Sequence, residues 1–164
     1  MSGIGYRSSK KGIEWFVLPV VAQMRFFGVG GYRHNLGGSL ARTFSDRRRL
    51  EIEGNLDYGV VNRDVRGDLS LSYLYNPRRF GLLRVELGDN YVFVNTYEPI
   101  LGTLARGNYV RKTFFQGSHR IELVNGLYLR TSFDFSRRQA ITDGMRPLRL
   151  AGALRVVVAA DHPS

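Results

Sequence analysis

The sequence predicts an all-β chain, an antiparallel up-and-down β-barrel that crosses a membrane on its strands, and three observations predict it. Apolar and polar residues alternate with a period of two over long stretches, as strands with different surroundings on their two faces require. Four of those stretches exceed ten residues. Strands of soluble domains run to roughly 5–6 residues, whereas a tilted membrane strand needs about 9–11. Aromatic residues and arginines gather near the expected strand ends, as a boundary between water and lipid selects.

Composition bounds the alternatives. The 164 residues, 43% hydrophobic and 23% charged, fit one domain and exclude a disordered chain. Lys and Arg number 24 against 14 for Asp and Glu, a net charge of +10, and 21 of the 24 are Arg. The absence of Cys removes disulfides, thiolate chemistry and cysteine-based metal sites. The longest apolar run, Trp15 to Ala22, is broken by Pro19 and is about half as long as a spanning helix.

The elements follow in order. Residues 1–22 read as a linker with a first strand, or as a signal segment cleaved after Val20-Val21-Ala22; Glu14 and Pro19 weigh against the signal. The β-barrel domain is assigned to residues 23–164, with an early strand over Met24 to Arg33. After Arg49, one face collects Leu50, Ile52, Leu56, Tyr58 and Val60, and the other Glu51, Glu53, Asn55 and Asp57. A turn at Asn62-Arg63-Asp64 returns the chain into Val65, Leu69, Leu71, Tyr73 and Tyr75, opposed by Arg66, Asp68, Ser70 and Ser72.

Asn76-Pro77-Arg78-Arg79 turns into a strand from about Gly81 to Asn95, with a bulge expected at Gly88-Asp89-Asn90. Ile100, Leu101, Leu104 and Ala105 have helical spacing, which predicts a short helix near 98–106. His119 to Ser136 reads as one long strand, and Leu148, Leu150, Leu154, Val156 and Val158 as the last. The total is about six to eight strands, closed by themselves or as a fragment of a larger barrel.

Alternation alone does not separate lipid from water, since soluble sandwiches alternate too. The polar faces decide by carrying both signs. Glu51, Glu53, Asp57, Arg84, Glu86, Glu122 and Arg130 suit the lumen of a barrel, where facing strands pair opposite charges. Running the strands up and down places Arg47, Arg48, Arg49, Arg78, Arg79, Arg137 and Arg138 at one end, a rim for lipid phosphates. Just inside it stands an aromatic girdle of Phe44, Tyr73, Tyr75, Phe80, Phe133 and Phe135.

The stretch from Phe44 to Arg79 resembles bacterial outer-membrane proteins in which a β-barrel of unknown function follows a carboxypeptidase-regulatory-like domain. The resemblance rests on Phe44-Ser45-Asp46-Arg47-Arg48, Tyr58-Gly59 and Tyr75-Asn76-Pro77, with similar texture to about Arg138. It implies an outer-membrane location and brings no catalytic residue. Members of that family are longer, and outer-membrane barrels commonly end in an aromatic residue, where this chain reads Ala159-Ala160-Asp161-His162-Pro163-Ser164.

No residue is assigned a catalytic, cofactor-binding or metal role. His34, His119 and His162 lack ligand spacing. Ser118 and His119, as strand neighbours, point to opposite faces. Gly28-Val29-Gly30-Gly31-Tyr32-Arg33 has Arg where a dinucleotide fingerprint needs its third Gly. Glu51, Glu53 and Asp57 have arginines nearby, so an ion network accounts for them without a substrate.

The expected function is a structural or transport-related outer-membrane barrel domain, not an enzyme. Its expected partners are membrane lipid or lipopolysaccharide and other envelope proteins. The competing reading is a soluble basic β-barrel that binds nucleic acid or another polyanion. Aromatics that alternate with aliphatics instead of lining a basic face weigh against nucleic acid.

Overall fold

The computed structural model describes residues 3–28, 31–93, 109–140 and 147–160. They form a single antiparallel sheet. Its strands are β1 (Ile4–Ser8), β2 (Ile13–Val17), β3 (Met24–Gly28), β4 (Gly31–Thr43), β5 (Arg49–Gly59), β6 (Asp64–Asn76), β7 (Gly81–Phe93), β8 (Tyr109–Val124), β9 (Leu127–Ala140) and β10 (Pro147–Ala160). The order across the sheet is β1-β2-β4-β5-β6-β7-β8-β9-β10, with β3 also on β4.

β2 and β3 are two halves of one interrupted strand. β2 lies against residues 38–42 of β4, and β3 against the stretch from Gly31 to His34. Pro19 and a 3-10 turn at Val20–Gln23 separate them, because proline cannot donate to the ladder. Leu18 N–H still donates to Gly37 O at 2.9 Å, and Gln23 Nε2 to Leu18 O at 2.7 Å, so the break stays fastened to the sheet. The sheet is therefore an up-and-down meander of nine ranks.

Several expectations are corrected here. The sheet has nine ranks instead of six to eight, and among the described residues β1 does not pair with β10, so it is open where a closed barrel was expected. Met24 to Arg33 is not one strand: β3 ends at Gly28 and β4 begins at Gly31. His119 to Ser136 is likewise divided, between β8 and β9, with Gly126 at φ 78° in the turn. No bulge occurs at Gly88-Asp89-Asn90, where the β7–β8 register runs unbroken from Leu82 to Phe93. Register shifts fall instead at Arg25/Gly28, Leu74/Asn76, Glu122/Val124 and Leu148/Leu150. The short helix near 98–106 lies outside the described residues, among which there is no α-helix. β1 and β2 stand in the sheet ahead of residue 23.

The register lines up whole rows across the sheet. One apolar row reads Tyr6, Trp15, Leu40, Ile52, Leu71, Val85, Gly117, Phe133, Leu154. One residue along, on the other face, the row reads Arg7, Glu14, Ala41, Glu51, Ser72, Arg84, Ser118, Ser132, Arg155. Burial is inverted relative to a water-soluble sheet. Among the side chains described, the only buried hydrophobic one is Ala41, while the charged face buries Arg33, Asn35 and Ser136. The apolar face lies open, with Leu154 73% exposed and Leu56 53%.

Candidate functional site: the charged face and the cationic end

The charged face is built by alternation and locked by register. Glu51, Glu53, Asp57, Arg84, Glu86, Glu122 and Arg130 all lie on it, as their alternation predicts. Across the strands Glu53 is followed by Ser70, Glu86, Gln116 and Asp134, so acids and hydrogen-bonding side chains stand shoulder to shoulder. Arg49 lies 3.5 Å from both Glu14 and Glu51, and Arg7 donates to Glu14 at 2.9 Å. Arg84 pairs with Glu86, and Gln116 donates to Asp134. A cleft of about 480 Å³ opens among Arg84, Glu86, Gln116, Ser118, Asp134 and Arg155.

A denser network stands near the other end of β4 to β8, of which the sequence reading reached Asp57 and Arg66 but not Arg33, Asp64, Asp89 or Arg111. Arg33 Nε donates to Asp57 at 2.9 Å and its Nη1 to Asp64 at 2.9 Å. Arg66 donates to Asp64 at 2.8 Å and to Asp89 at 3.0 Å. Arg111 donates to Asp89 through Nε at 2.9 Å and Nη2 at 2.7 Å, the fork geometry that suits a carboxylate. Tyr91 donates to Asp64 at 3.0 Å, and its ring lies 4.2 Å from the Arg66 guanidinium carbon. Cations and carboxylates thus alternate through five consecutive ranks, which offsets the cost of removing each charge from water.

One half of this network was legible. Asp57 and Arg66 sit directly opposite across the β5–β6 turn, so opposite charges mirrored about that turn were the signal. Arg33 and Asp89 join through the β4–β5 and β6–β7 hairpins at the ends far from their turns, and Arg111 through the β7–β8 ladder, so these contacts lie far apart in sequence.

The expected cationic rim divides. Arg47, Arg48, Arg78 and Arg79 occupy the turns after β4 and β6, on one end, with Arg49 just inside. Arg137 and Arg138 lie near the far end of β9, opposite Thr113 and Lys112, and leave the rim. The extra turn at Asn125-Gly126 reverses the chain and sends them to the other end. The aromatic girdle divides for the same reason: Phe44, Tyr73, Tyr75 and Phe80 stay beside the rim, whereas Phe133 and Phe135 sit half-way along β9. Lys10 and Lys11 stand at the rim end, because Thr43 N–H donates to Gly12 O at 2.7 Å and fixes the β1–β2 turn beside the β4–β5 turn.

The rim turns are well framed. Phe44 N–H donates to Arg48 O at 2.8 Å and Arg47 N–H to Phe44 O at 3.0 Å, closing the first turn with Arg47 at φ 65°. Arg79 N–H donates to Asn76 Oδ1 at 3.3 Å in the second. Arg48 bonds Asp46 and reaches the Tyr73 hydroxyl at 3.3 Å. Desolvation works against the Asp46 carboxylate, but the Arg48 backbone N–H and guanidinium outweigh it and hold the acid below the usual carboxylate range. Deeper in, Tyr75 and His119 are joined by a 2.6 Å hydrogen bond between the hydroxyl and Nε2. Among the described residues no group of three or more His, Asp or Glu is placed to hold a metal ion.

Residues 1–146 match the family described as "Family of unknown function (DUF5686) C-terminal domain". No curated protein and no solved structure matches the chain.

Proposed function

The chain belongs to the DUF5686 C-terminal domain family, and we propose that it is an integral β-sheet domain of the bacterial outer membrane. The apolar face meets lipid and the charged face lines a polar interior, in a structural or transport-related role. The observation that carries this reading is the inversion of burial: leucines, valines and phenylalanines lie open along one face, while the best-shielded side chains are polar ones on the other, Arg33, Asn35 and Asp57. In water, each large aliphatic or aromatic side chain left exposed forgoes about 1.5–3 kcal/mol. Against hydrocarbon the same face is satisfied.

Dimensions support it. The apolar series of β5, Leu50, Ile52, Leu56 and Tyr58, covers about 26 Å at about 3.3 Å per residue. A strand tilted by about 40° turns that length into a band about 20 Å high, most of the apolar belt of about 25 Å on outer-membrane barrels. Tyr73 stands level with Leu50 at the edge of the band, and beyond it come Tyr75 and Phe80 and then the cationic turns, the sequence of layers found at a membrane–water boundary.

The test expresses the chain behind an export signal and washes the membranes with alkaline carbonate. The expected result is recovery in the outer-membrane pellet, with a fluorophore on Leu87→Cys quenched by spin-labelled acyl chains and one on Gln116→Cys spared. Recovery as a folded protein in plain buffer overturns the reading.

A further inference from the structure

Between the turns after β4 and β6 lies a cleft of about 790 Å³ lined by Ser45, Asp46, Arg47, Arg48, Tyr75 and Arg78, among others. We propose that this cleft is a binding site for a phosphate group, presented by the headgroup of a phosphorylated membrane lipid. The lipid source rests on the membrane reading above; the phosphate chemistry does not.

Three observations carry it. The cleft walls hold three guanidinium groups against one carboxylate, and Arg48 already occupies that carboxylate, Asp46. Arg47 and Arg78 are exposed and form no ion pair among the described residues, so their forks are available to an incoming anion. Guanidinium binds phosphate through paired N–H donors, which makes two free arginines on facing turns suited to a phosphate monoester. The frame is also preset: hydrogen bonds close both turns, and Arg47 is held at φ 65°, so little backbone ordering is left to binding.

Position identifies the source. The cleft opens beside the Tyr73 and Tyr75 layer, one step outside the apolar band, where lipid phosphates lie when that band is in hydrocarbon. Lys10 and Lys11 on the neighbouring turn extend the same positive surface. Arg137 and Arg138 have no part in it, being at the other end of the sheet.

The test uses the full chain in a neutral detergent and titrates it with short-chain phosphatidic acid, phosphatidylcholine and inorganic phosphate. The expected result is preference for phosphatidic acid over both, with Arg47→Ala/Arg78→Ala weakening that binding about thirtyfold. Arg137→Ala/Arg138→Ala is expected to leave it unchanged. Equal binding of phosphatidylcholine, or equal loss in the two double variants, overturns the site. Inorganic phosphate bound as tightly as the lipid overturns the lipid source. If the wild-type chain stays in washed membranes yet shows no preference, the site fails and the membrane reading stands. If the chain is soluble, the membrane reading fails and the titration still reports on the cleft.

Discussion

Arg33 Nε and Asp57 Oδ2 are 2.9 Å apart on adjacent strands, with the arginine side chain only 3% exposed. Arg33 also holds Asp64, so a single guanidinium bonds two carboxylates, one from β5 and one from β6, and Arg66 shares the second. Removing one member of a shielded pair leaves the other charge without compensation, at about 3–5 kcal/mol. Arg33→Ala is therefore expected to lower the unfolding free energy by about that amount, measured by denaturant titration in detergent. Asp57→Asn added to Arg33→Ala should cost less than the sum of the two single changes, since the first change has already broken their bond. Strict additivity would show that the two side chains do not interact.

The two faces are expected to respond oppositely to the same substitution. Leu87 is 47% exposed on the apolar face, and Ser70 lies on the charged face of the neighbouring strand. In water a change at an exposed leucine falls within about 0.5 kcal/mol. In the middle of a bilayer, arginine on the lipid face costs about 2–4 kcal/mol. Leu87→Arg should cut recovery in washed membranes while Ser70→Arg keeps it. Equal recovery of the two would place the apolar face outside lipid.

Gly126 is held at φ 78° and its N–H donates to Glu122 Oε1 at 2.9 Å. A side chain in this left-handed region costs about 1–3 kcal/mol, more for a β-branched residue. Gly126→Val should therefore lower the unfolding midpoint. Gly54→Ala should not, because a methyl there meets its nearest neighbour at an ordinary 3.5 Å.

That same turn explains what was legible in the sequence and what was not. The β5–β6 hairpin was plain because a loop intervenes and the apolar series changes from even to odd numbers across it, as Leu50 opposite Tyr73 records. A two-residue turn alone would have made the same change at Asn125-Gly126. The bulge between Glu122 and Val124 cancels it, so Ile121 faces Leu129 and the odd-numbered apolar series runs on without a sign of the reversal. Period-two reading is blind to a turn whose bulge restores parity. Asn-Gly chemistry was the remaining signal, and overlooking it misplaced Arg137, Arg138, Phe133 and Phe135 together. The face assignments of β5 to β9 survived, since they depend on parity and not on direction, whereas the register shift in β10 takes Leu148 off the face of Leu150.

Asp46 supplies a pH test at the cationic end. Its carboxylate is held below the usual range through its bonds to Arg48, so its contribution to the turn is complete above the ordinary carboxylate value and is lost only as pH falls through the lowered one. An NMR titration should find the Asp46 midpoint below that of an unperturbed aspartate. Arg48→Ala should move it upward, and an unmoved midpoint would remove Arg48 as the cause.

The open edges carry the last prediction. Nine antiparallel ranks make β1 and β10 run in the same direction, so joining them directly would create a parallel pair. Two copies arranged around an axis along the membrane normal would also meet β10 to β1, again in parallel. Hydrocarbon leaves no strand edge unpaired, and single-chain bacterial outer-membrane barrels close with an even number of antiparallel strands. Antiparallel closure of this sheet thus requires an odd number of further strands between β10 and β1. The chain has no native cysteine, which makes the test direct. Leu40→Cys with Ile52→Cys, opposite each other on β4 and β5, should oxidise to an intrachain disulfide in washed membranes. Ile4→Cys with Leu154→Cys and Tyr6→Cys with Val156→Cys should not. Full intrachain oxidation of either β1–β10 pair would mean that the nine ranks close on themselves in parallel, against the even-strand rule.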